Sequence, residues 1–349
     1  MKKLLSNLPE LWFRARFSLV LALLLPLSWL FRCAVAVRRF LYRCGAFSVT
    51  TLPVPVLVVG NVTVGGSGKT PLVLWLVESL KKAGKSPGIV SRGYGGAKHE
   101  GIEVFEVLPD SPAALVGDEP LLLARRSGVP VVVGRDRVRA ARLLLEKHPE
   151  CDLVVSDDGM QHYRLGRRAE IAVFDARGAG NGRLLPAGPL REPLSRLAEV
   201  AAVVWNSRPD FSEGSLWATR VPAYAMCIEG EKFYRLDSAE RDERVWCSVD
   251  ELRGETLHAV AGMGNPSRFF ERLDSFGLRF EAHPFPDHHV YTTDDFAFAR
   301  AEGVVLMTEK DAVKCVGVAP DRSWVLPVEA RVEPVGDAPA LIDLLLEKL

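Results

Sequence analysis

The sequence lacks several features that identify specialised classes of protein, and each missing feature argues against one class of site, scaffold or partner. Its six cysteines are scattered without a C-x-x-C pair, so neither a cysteine zinc site nor a disulfide scaffold is predicted, and reduced thiols fit a cytosolic setting. The net charge is zero, with 44 basic and 44 acidic side chains, so no nucleic-acid partner is expected. Internal repeats and low-complexity tracts are missing too. The 349 residues, 48% of them hydrophobic, predict a globular protein of about two domains.

Residues 61–71, NVTVGGSGKTP, have the composition of a phosphate-binding loop. They follow an apolar run at 52–60 that is typical of a buried parallel strand, and they precede residues 71–82, whose apolar positions recur at helical spacing. A loop between a strand and a helix N-terminus can direct backbone N–H groups at an anion. Lys69 is predicted to reach the outer phosphates of a nucleotide, and Thr70 to hold Mg²⁺. The predicted loop consists of Thr63, Val64, Gly65, Gly66, Ser67, Gly68, Lys69 and Thr70.

The loop departs from the general pattern G-x-x-x-x-G-K-[ST] at one position. Thr63 stands where that pattern has its first glycine. The alternative interpretation is a glycine-rich turn that binds nothing, and the strand and helix on either side argue against it.

Further segments predict alternating strands and helices. Strand-like runs occur at 86–91, 129–134, 151–157, 169–176 and 200–206, and a helical run occurs at 135–147. This alternation predicts a mostly parallel sheet whose ligand crevice lies at the carboxyl ends of its strands. Asp157 and Asp158 end one of these strands, where an aspartate commonly holds Mg²⁺ directly or through water. The alternative is that they simply start a turn.

Three other segments are ambiguous from the residues alone. Asp118 in GDEP is explained by a helix N-cap, and nothing local demands catalysis. His288 and His289 in FPDHHVY should point to different faces, so they are not expected to share a metal, and an exposed loop explains them equally well. Residues 183–197 form a loop that carries Arg191 and Glu192 into a predicted helix, whose N-terminus could face an anion. The residues therefore predict a magnesium–nucleotide site without identifying its substrate.

The amino-terminal segment, residues 1–48, is basic and partly apolar. It has eight lysines and arginines against one glutamate, a net charge of +7. Its apolar stretch, 17–31, is shorter than the roughly 20 residues of a spanning helix, and Pro26 interrupts it. A membrane-surface helix, a buried core helix and a secretory signal ending at the A-x-A site 34–36 compete. We favour membrane attachment, because arginines and tryptophans flank the stretch and nucleotide chemistry belongs in the cytosol.

Seven segments together resemble one family. GNVTVGGSGKTP, SRGYGG, GDEP, GRDR, SDDGMQH, RLLPAGPLREP and FPDHHVY occur in the order and near the spacings found in the tetraacyldisaccharide 4′-kinases, the lipid A 4′-kinases of Gram-negative envelope synthesis. The resemblance runs from about residue 50 to about residue 315, and Thr63 fits it because the family's loop begins with serine or threonine.

The resemblance implies a substrate and a location. Members of this family transfer the γ-phosphoryl group of ATP, with Mg²⁺, to the 4′-hydroxyl of tetraacyldisaccharide 1-phosphate. They work at the cytoplasmic face of the inner membrane. Residues 1–48 would then attach the chain to the anionic membrane surface as a peripheral or monotopic helix.

The resemblance also implies roles for individual residues. Asp118, paired with His288, would activate the attacking hydroxyl. The catalytic cations would be Lys69, Arg137 and Arg191. The magnesium ligands would be Thr70, Asp157, Asp158 and Glu192. Three further residues match motif positions without a defined role, namely Tyr94, Gln161 and His162. Which aspartate touches Mg²⁺, and whether His288 or His289 pairs with Asp118, stay open.

Taken together, these features predict an α/β protein in four parts. Residues 1–48 are a membrane-associating helical segment, and residues 49–220 are a P-loop NTPase-like domain whose mostly parallel sheet has helices on both faces. A linker at 221–235 precedes a smaller α/β domain at 236–349, because residues 256–278 and 303–314 each have the pattern of a strand followed by a helix. A pair formed by Asp118 and His288 would lie between the two domains and be assembled by their closure.

Two rival classes share the phosphate loop. A membrane-associated nucleotide switch or partitioning ATPase often has a lysine before the double glycine, where this chain has Val64. A GTP-dependent protein usually needs [NT]-K-x-D, and TEKD at 308–311 has its lysine one place late. Neither class explains the GDEP, LREP and FPDHH segments.

Overall fold

A computed structural model describes residues 8–13, 18–93, 104–207, 221–238, 244–299 and 303–349. Its helices are α1 (Leu8–Trp12), α2 (Leu19–Leu23), α3 (Leu25–Arg43), α4 (Lys69–Lys82), α5 (Ala113–Val116), α6 (Asp118–Ser127), α7 (Arg137–Lys147), α8 (Ser267–Ser275), α9 (Glu309–Cys315) and α10 (Leu341–Leu346). Its strands are β1 (Val56–Gly60), β2 (Pro87–Ser91), β3 (Val104–Val107), β4 (Val131–Gly134), β5 (Leu153–Asp157), β6 (Ala169–Asp175), β7 (Ala202–Asn206), β8 (Ala223–Glu229), β9 (Lys232–Arg235), β10 (Trp246–Ser248), β11 (Leu257–Ala261), β12 (Phe280–Pro284), β13 (Val304–Thr308), β14 (Ser323–Leu326) and β15 (Glu329–Pro334).

Nine of these strands form one sheet in the order β15-β8-β7-β6-β1-β5-β2-β4-β3. The two edge strands, β3 and β15, are antiparallel to their neighbours, and the seven strands between them are parallel. The central strand β1 is buried along its whole length, because helices cover both faces of the sheet. Helices α4 and α6 pack on one face and α7 packs on the other. The predicted P-loop-type α/β fold is confirmed.

A second sheet has six strands in the order β10-β9-β14-β13-β11-β12. Strands β11 to β14 run parallel, whereas β9 and β10 are antiparallel to their neighbours. The sheet has its own apolar clusters, built around Phe233, Leu273 and Leu306 on one side and around Phe296 and Met307 on the other. A smaller α/β unit was expected in this part of the chain.

The chain passes between the two sheets differently from the prediction. Residues 221–235, predicted as a linker, contain β8 of the larger sheet and β9 of the smaller one. Strand β15 then returns to pair with β8, so the end of the chain packs on the larger sheet. The strand was missed because burial alternates along β8, with Tyr224 and Met226 buried between more exposed neighbours, and so it shows no continuous apolar run. The position of the domain boundary stays a prediction.

The apolar amino-terminal stretch forms α2 and the first part of α3, with Leu24 between them. Pro26 lies in the first turn of α3, where its missing N–H leaves no hydrogen bond unmade. The hydroxyl of Ser28 donates a 2.7 Å hydrogen bond to the Leu184 carbonyl, which fixes α3 to the 183–192 loop. None of the described helices is both long and apolar enough to cross a membrane.

Candidate active site

The predicted phosphate loop connects β1 to the N-terminus of α4. Side-chain amides fix its shape: Asn61 Nδ2 donates to the Gly65 carbonyl and to Ser67 Oγ, at 3.3 Å each. Asn206, at the end of β7, donates from Nδ2 to the Ser67 carbonyl at 3.2 Å. Asn206 was not predicted, although a polar residue that ends a parallel strand beside the loop was the available signal. The loop is therefore preformed and open at the helix N-terminus, where an anion is favoured.

Gly68 permits both the backbone turn and the close approach of Asn206. Its φ is +87°, and a β-carbon there would lie 2.1 Å from Asn206 Nδ2. Gly68→Ala is therefore expected to lower the free energy of unfolding by about 2–5 kcal/mol, because the cost of a left-handed backbone at alanine adds to the cost of the clash between its β-carbon and Asn206. Gly84→Ala is the matched control, because Gly84 has φ +79° with nothing within 4 Å and should lose only about 1–2 kcal/mol in urea unfolding. Equal losses of stability in Gly68→Ala and Gly84→Ala would show that the clash with Asn206 does not destabilise the protein.

Asp157 and Asp158 lie at the carboxyl end of β5, beside β1. Ser91 Oγ donates to Asp157 Oδ2 at 3.0 Å, and Asp157 Oδ1 is buried without a hydrogen-bond partner among the described residues. Asp158 has φ +48°, a strained value for a side-chain-bearing residue of the kind found at functional sites. Its carboxylate lies 3.4 Å from Lys69 Nζ and 3.3 Å from Arg191 Nη1.

The pKa values of the adjacent carboxyl groups of Asp157 and Asp158 are shifted in opposite directions. Burial, reinforced by the nearby charge of Glu119, raises the pKa of Asp157 to about 6. Burial also opposes ionisation of Asp158, but Lys69 and Arg191 outweigh it and lower the pKa of that carboxyl to about 2. One carboxyl therefore holds a proton readily while its neighbour stays charged, which is a common arrangement at functional sites.

These shifts predict a pH-dependent stability that differs between the two aspartates. The Asp157 pKa rises on folding from 3.8, so its stabilising contribution, complete below pH 3.8, is lost as the pH rises through about 6. The neutral Asp157→Asn is thus expected to be more stable than wild type at pH 8, by about 2–3 kcal/mol, with the gain vanishing towards pH 4. Urea unfolding between pH 4 and pH 8 measures this, and a less stable Asp157→Asn at pH 8 would contradict it.

Asp158 supplies the matched comparison in the same titration. Its pKa falls on folding from 3.8 to about 2, so its contribution is present above pH 3.8 and is lost as the pH falls through 2. Asp158→Asn should therefore be less stable than wild type by about 2 kcal/mol throughout the range from pH 4 to pH 8.

The 183–192 loop packs alongside the phosphate loop. The Val64 amide donates to the Pro189 carbonyl at 2.8 Å, and the Arg191 amide donates to the Val62 carbonyl at 2.7 Å. The helix predicted after this loop is a six-residue 3₁₀ helix, Leu194–Glu199. The loop brings the Arg191 guanidinium to Asp158, and so its position depends on main-chain pairing rather than on a regular element.

Gln161 connects the aspartates to Glu192. Its side-chain oxygen accepts from Arg191 Nη1 at 3.2 Å, and its Nε2 donates to the Asn61 carbonyl at 3.0 Å and to Glu192 Oε2 at 3.4 Å. The other Glu192 oxygen accepts from the Tyr163 hydroxyl. Burial raises the pKa of Glu192. Both carboxylate oxygens are thus occupied within the protein, and the metal-ligand role of Glu192 stays a prediction.

The remaining predicted residues lie around this network. Arg137 is almost fully buried and donates to the main-chain carbonyls of Gly134 at 2.6 Å and Asp157 at 3.2 Å. Burial, followed by the charges of Arg137 and Arg92, lowers the pKa of His162 to about 4, so its imidazole is neutral at pH 7. Tyr94 lies outside the described residues.

Asp118 and His288 meet although 170 positions separate them in the sequence. Nδ1 of His288 lies 3.0 and 3.1 Å from the two oxygens of Asp118, which is only 3% exposed. Asp118 is the first residue of α6, whose N-cap is Gly117, so the expected N-cap role of the aspartate was wrong. His288 has φ +60°, a strained value for a residue with a side chain and one of the kind found at functional sites.

The neighbouring histidine has a different partner. Nε2 of His289 lies 3.2 Å from Asp295 Oδ2, within the smaller sheet's own loops. The two histidines therefore face different carboxylates, as expected for adjacent residues, and His288 is the one that reaches Asp118.

Two lysines of α9 complete the contact between the sheets. Nζ of Lys310 lies 3.8 Å from Asp118 Oδ2, 3.0 Å from Asp287 Oδ1 and 3.2 Å from Glu119 Oε1. Burial lowers the pKa of Lys310, but these three carboxylates outweigh it and raise that pKa. Nζ of Lys314 lies 3.7 Å from the same Asp118 oxygen. Neither lysine was predicted, because residues 303–314 were interpreted as a strand followed by a helix, and TEKD within them was tested only as a guanine-binding motif.

Comparison with known proteins adds independent findings. A family model described as tetraacyldisaccharide-1-P 4'-kinase matches residues 20–349. The tetraacyldisaccharide 4'-kinase of Dechloromonas aromatica is 52% identical over 340 residues, which cover 97% of this chain and 96% of that protein. The one from Methylobacillus flagellatus is 51% identical over 312 residues, covering 89% and 88%. The crystal structure of LpxK from Aquifex aeolicus in complex with ATP superposes with a TM-score of 0.78 at 31% identity, covering 94% of this chain and 99% of that one.

Proposed function

This chain belongs to the tetraacyldisaccharide-1-phosphate 4′-kinase family, and we propose that its site transfers the γ-phosphoryl group of ATP to the 4′-hydroxyl of tetraacyldisaccharide 1-phosphate in lipid A biosynthesis. The observation that carries this function is a carboxylate–imidazole pair that joins the start of α6, on the larger sheet, to the loop after β12 of the smaller sheet, in a chain whose β1 leads through a glycine loop into α4. Phosphoryl transfer needs both parts, since one holds the donor and the other prepares the acceptor.

The loop from Thr63 to Thr70 would bind the β- and γ-phosphates of ATP through its backbone amides and Lys69. In the described structure Lys69 and Arg191 both lie near Asp158. Either cation can turn from that carboxylate to a phosphate oxygen, because Lys69 Nζ is 3.4 Å away rather than at close hydrogen-bond distance. Lys69 and Arg191, already in position, would then stabilise the negative charge that spreads over the γ-phosphoryl group in the transition state.

The donor set beside the loop suits Mg²⁺, a hard cation that prefers oxygen ligands. Asp157 Oδ1 is buried and lacks a hydrogen-bond partner among the described residues, Asp158 is held ionised, and Thr70 follows Lys69 in the first turn of α4. These three residues would hold the ion, which when bound neutralises phosphate charge. Arg137 would act as a positioning residue, because its guanidinium donates a hydrogen bond to the main-chain carbonyl of Asp157.

Asp118 and His288 would activate the acceptor hydroxyl. Nδ1 of the His288 ring lies at hydrogen-bond distance from Asp118, which orients the imidazole. The other nitrogen, Nε2, lies 3.8 Å from Asp287 Oδ2 and would accept the proton of a sugar hydroxyl as that oxygen attacks phosphorus. Lys310 and Lys314 would hold Asp118 in place, since both lie within 4 Å of Oδ2.

Helices α2 and α3 would bring the site to the cytoplasmic face of the inner membrane. They expose Leu19 at 82%, Leu23 at 80% and Leu30 at 68%, and solvent-facing leucines this open favour insertion among acyl chains. Arg38 of α3 donates to the Gln161 carbonyl at 3.0 Å, so this apolar surface adjoins the active-site loops. A lipid substrate could then enter the site without leaving the membrane surface.

The membrane role predicts a separable binding defect. Replacing Leu19, Leu23 and Leu30 together by glutamine should weaken binding to anionic phospholipid vesicles by about 100-fold, because three leucines lose their transfer into hydrocarbon. Vesicle co-sedimentation measures this, and ATP affinity should not change. Leu108→Gln is the control, since Leu108 is 51% exposed at a site remote in sequence from these helices. Unchanged vesicle binding in the triple variant would show that these leucines of α2 and α3 do not bind the membrane.

The function is tested with purified protein, Mg-ATP and tetraacyldisaccharide 1-phosphate in mixed micelles, followed by mass spectrometry of the lipid. The lipid is expected to gain one phosphoryl group, and an analogue that lacks the 4′-hydroxyl is expected to gain none. ATP hydrolysis with an unchanged lipid would favour a nucleotide switch, and phosphorylation of the 4′-deoxy analogue would remove the assigned acceptor.

A further inference from the structure

Strands β11 and β12 of the smaller sheet present two imidazoles and a carboxylate on one face. The strands are adjacent and parallel, with His258 opposite Glu281 and Val260 opposite His283. Glu281 and His283 are two residues apart on β12, so their side chains emerge on the same side as that of His258. The group lies in a different part of the sheet from the Asp118–His288 pair, and the kinase reaction does not use it.

The ligand atoms of this group converge. Nδ1 of His258 lies 3.1 Å from Nε2 of His283 and 3.5 Å from Glu281 Oε2, and all three ligand atoms lie within 4.8 Å of one another. Zinc–nitrogen bonds are about 2.0–2.1 Å long, so two nitrogens of a tetrahedral site are roughly 3.3–3.4 Å apart. The observed separations are close to those values. Among the described residues, no other three histidines, cysteines or acids meet the same distance criterion.

The surroundings hold the two rings in place. His258 is 7% exposed, and the ring of Phe298 stacks on that of His283 with centroids 3.6 Å apart and planes within 5°. Glu281 is open, with 68% of its side chain exposed. Two packed imidazoles and one exposed carboxylate would leave the fourth tetrahedral position to solvent, since the group within these distances has three members among the described residues.

We propose that His258, His283 and Glu281 bind one divalent transition-metal ion of the Zn²⁺ type. The ion would link β11 to β12, and β12 leads within five residues to His288. Its role would be to fix the strand that positions the catalytic histidine. The site requires neutral imidazoles and a free carboxylate, and binding is independent of ATP and of the lipid.

The competing explanation needs no metal. One imidazole can donate a hydrogen bond to the other at the observed 3.1 Å, and the exposed Glu281 can lie nearby without a ligand. Under that explanation the wild type has no more affinity for zinc than variants that lack these side chains.

The test uses full-length protein freed of any histidine tag, treated with a chelator and dialysed without nucleotide. Calorimetric titration with Zn²⁺, and Co²⁺ as a spectroscopic probe of tetrahedral coordination, measure stoichiometry and affinity. One ion per chain is expected. His283→Gln should weaken binding by at least about 100-fold and Glu281→Gln by at least about tenfold, since even indirect contacts to metal ligands change affinity by 10–100-fold. Glu281→Gln alters an exposed side chain, so its fold should be intact.

The matched control is His148→Gln. His148 also lies beside two carboxylates, with Nε2 2.6 Å from Glu106 and Nδ1 3.2 Å from Glu150, but it has no second histidine. It should bind zinc as the wild type does. Absence of zinc binding in the wild type, or wild-type affinity in either His283→Gln or Glu281→Gln, would overturn the proposal.

Discussion

Asp118→Asn is expected to lower kcat by about two to four orders of magnitude, the usual contribution of general acid–base catalysis, while ATP affinity changes little. The amide keeps the shape of the carboxylate, but it carries no charge and offers one acceptor oxygen instead of two, so it no longer fixes the ring's tautomer. His288→Gln should have a loss of similar size, because it removes the base itself. Steady-state phosphorylation of the lipid measures kcat, and equilibrium binding of ATP measures the affinity that should be retained.

The chain contains its own control for this prediction. His289 is adjacent to His288 and lies near a different aspartate, Asp295, at 3.2 Å. His289→Gln should therefore retain kcat within about threefold, since it leaves the Asp118–His288 contact intact. A large loss in His289→Gln, with full activity in His288→Gln, would transfer the catalytic role to the neighbouring residue. Loss of ATP binding in Asp118→Asn would also contradict the assigned role.

Lys69→Met should lower kcat by at least about 100-fold and also weaken ATP binding. Lys69 lies at the start of α4, where its charge adds to that of the helix N-terminus, and removal of one preformed electrostatic contact to a transition state costs about 10²–10³ in rate. The combined loss distinguishes it from Asp118→Asn, which should affect kcat alone. Methionine preserves the length of the side chain and much of its packing.

The same variant has a second readout in the apo protein. Lys69 is the strongest of the influences that lower the pKa of Asp158, so Lys69→Met should raise that pKa. Lys82→Met is the matched control, because Lys82 is in the last turn of the same helix and forms an exposed pair with Glu78. It should change neither kcat nor ATP binding. Wild-type turnover in Lys69→Met would exclude the phosphate-loop reaction.

Local patterns predicted the part of the site that is built locally. The strand, the glycine loop and the helix around Lys69 are consecutive in the chain, so their composition predicts a shared phosphate site. Asp157 was predictable for the same reason, because the carboxyl end of a parallel strand lies at the ligand edge of its sheet. In these cases sequence distance and spatial distance are both short.

The part of the site that is built by packing could not be predicted in this way. The contact between Asp118 and His288 depends on how the smaller sheet docks against α6, and only the family resemblance indicated it. Lys310 and Lys314 were missed because α9 packs on α6 across that interface, and the surrounding residues carry no local mark of it. Strand β8 was mistaken for a linker because only alternate residues in its first half are buried, so it does not have the continuous apolar run of the central strands.

The measurement that tests the mechanism most directly is a double-mutant cycle of kcat for lipid phosphorylation, with Asp118→Asn, His288→Gln and both together. If the two residues act as one unit, the double variant should be within about threefold of the slower single variant, because removing either partner already disables the pair. If the losses instead multiply, the two residues act separately, and the carboxylate–imidazole pair is not the base that activates the sugar hydroxyl.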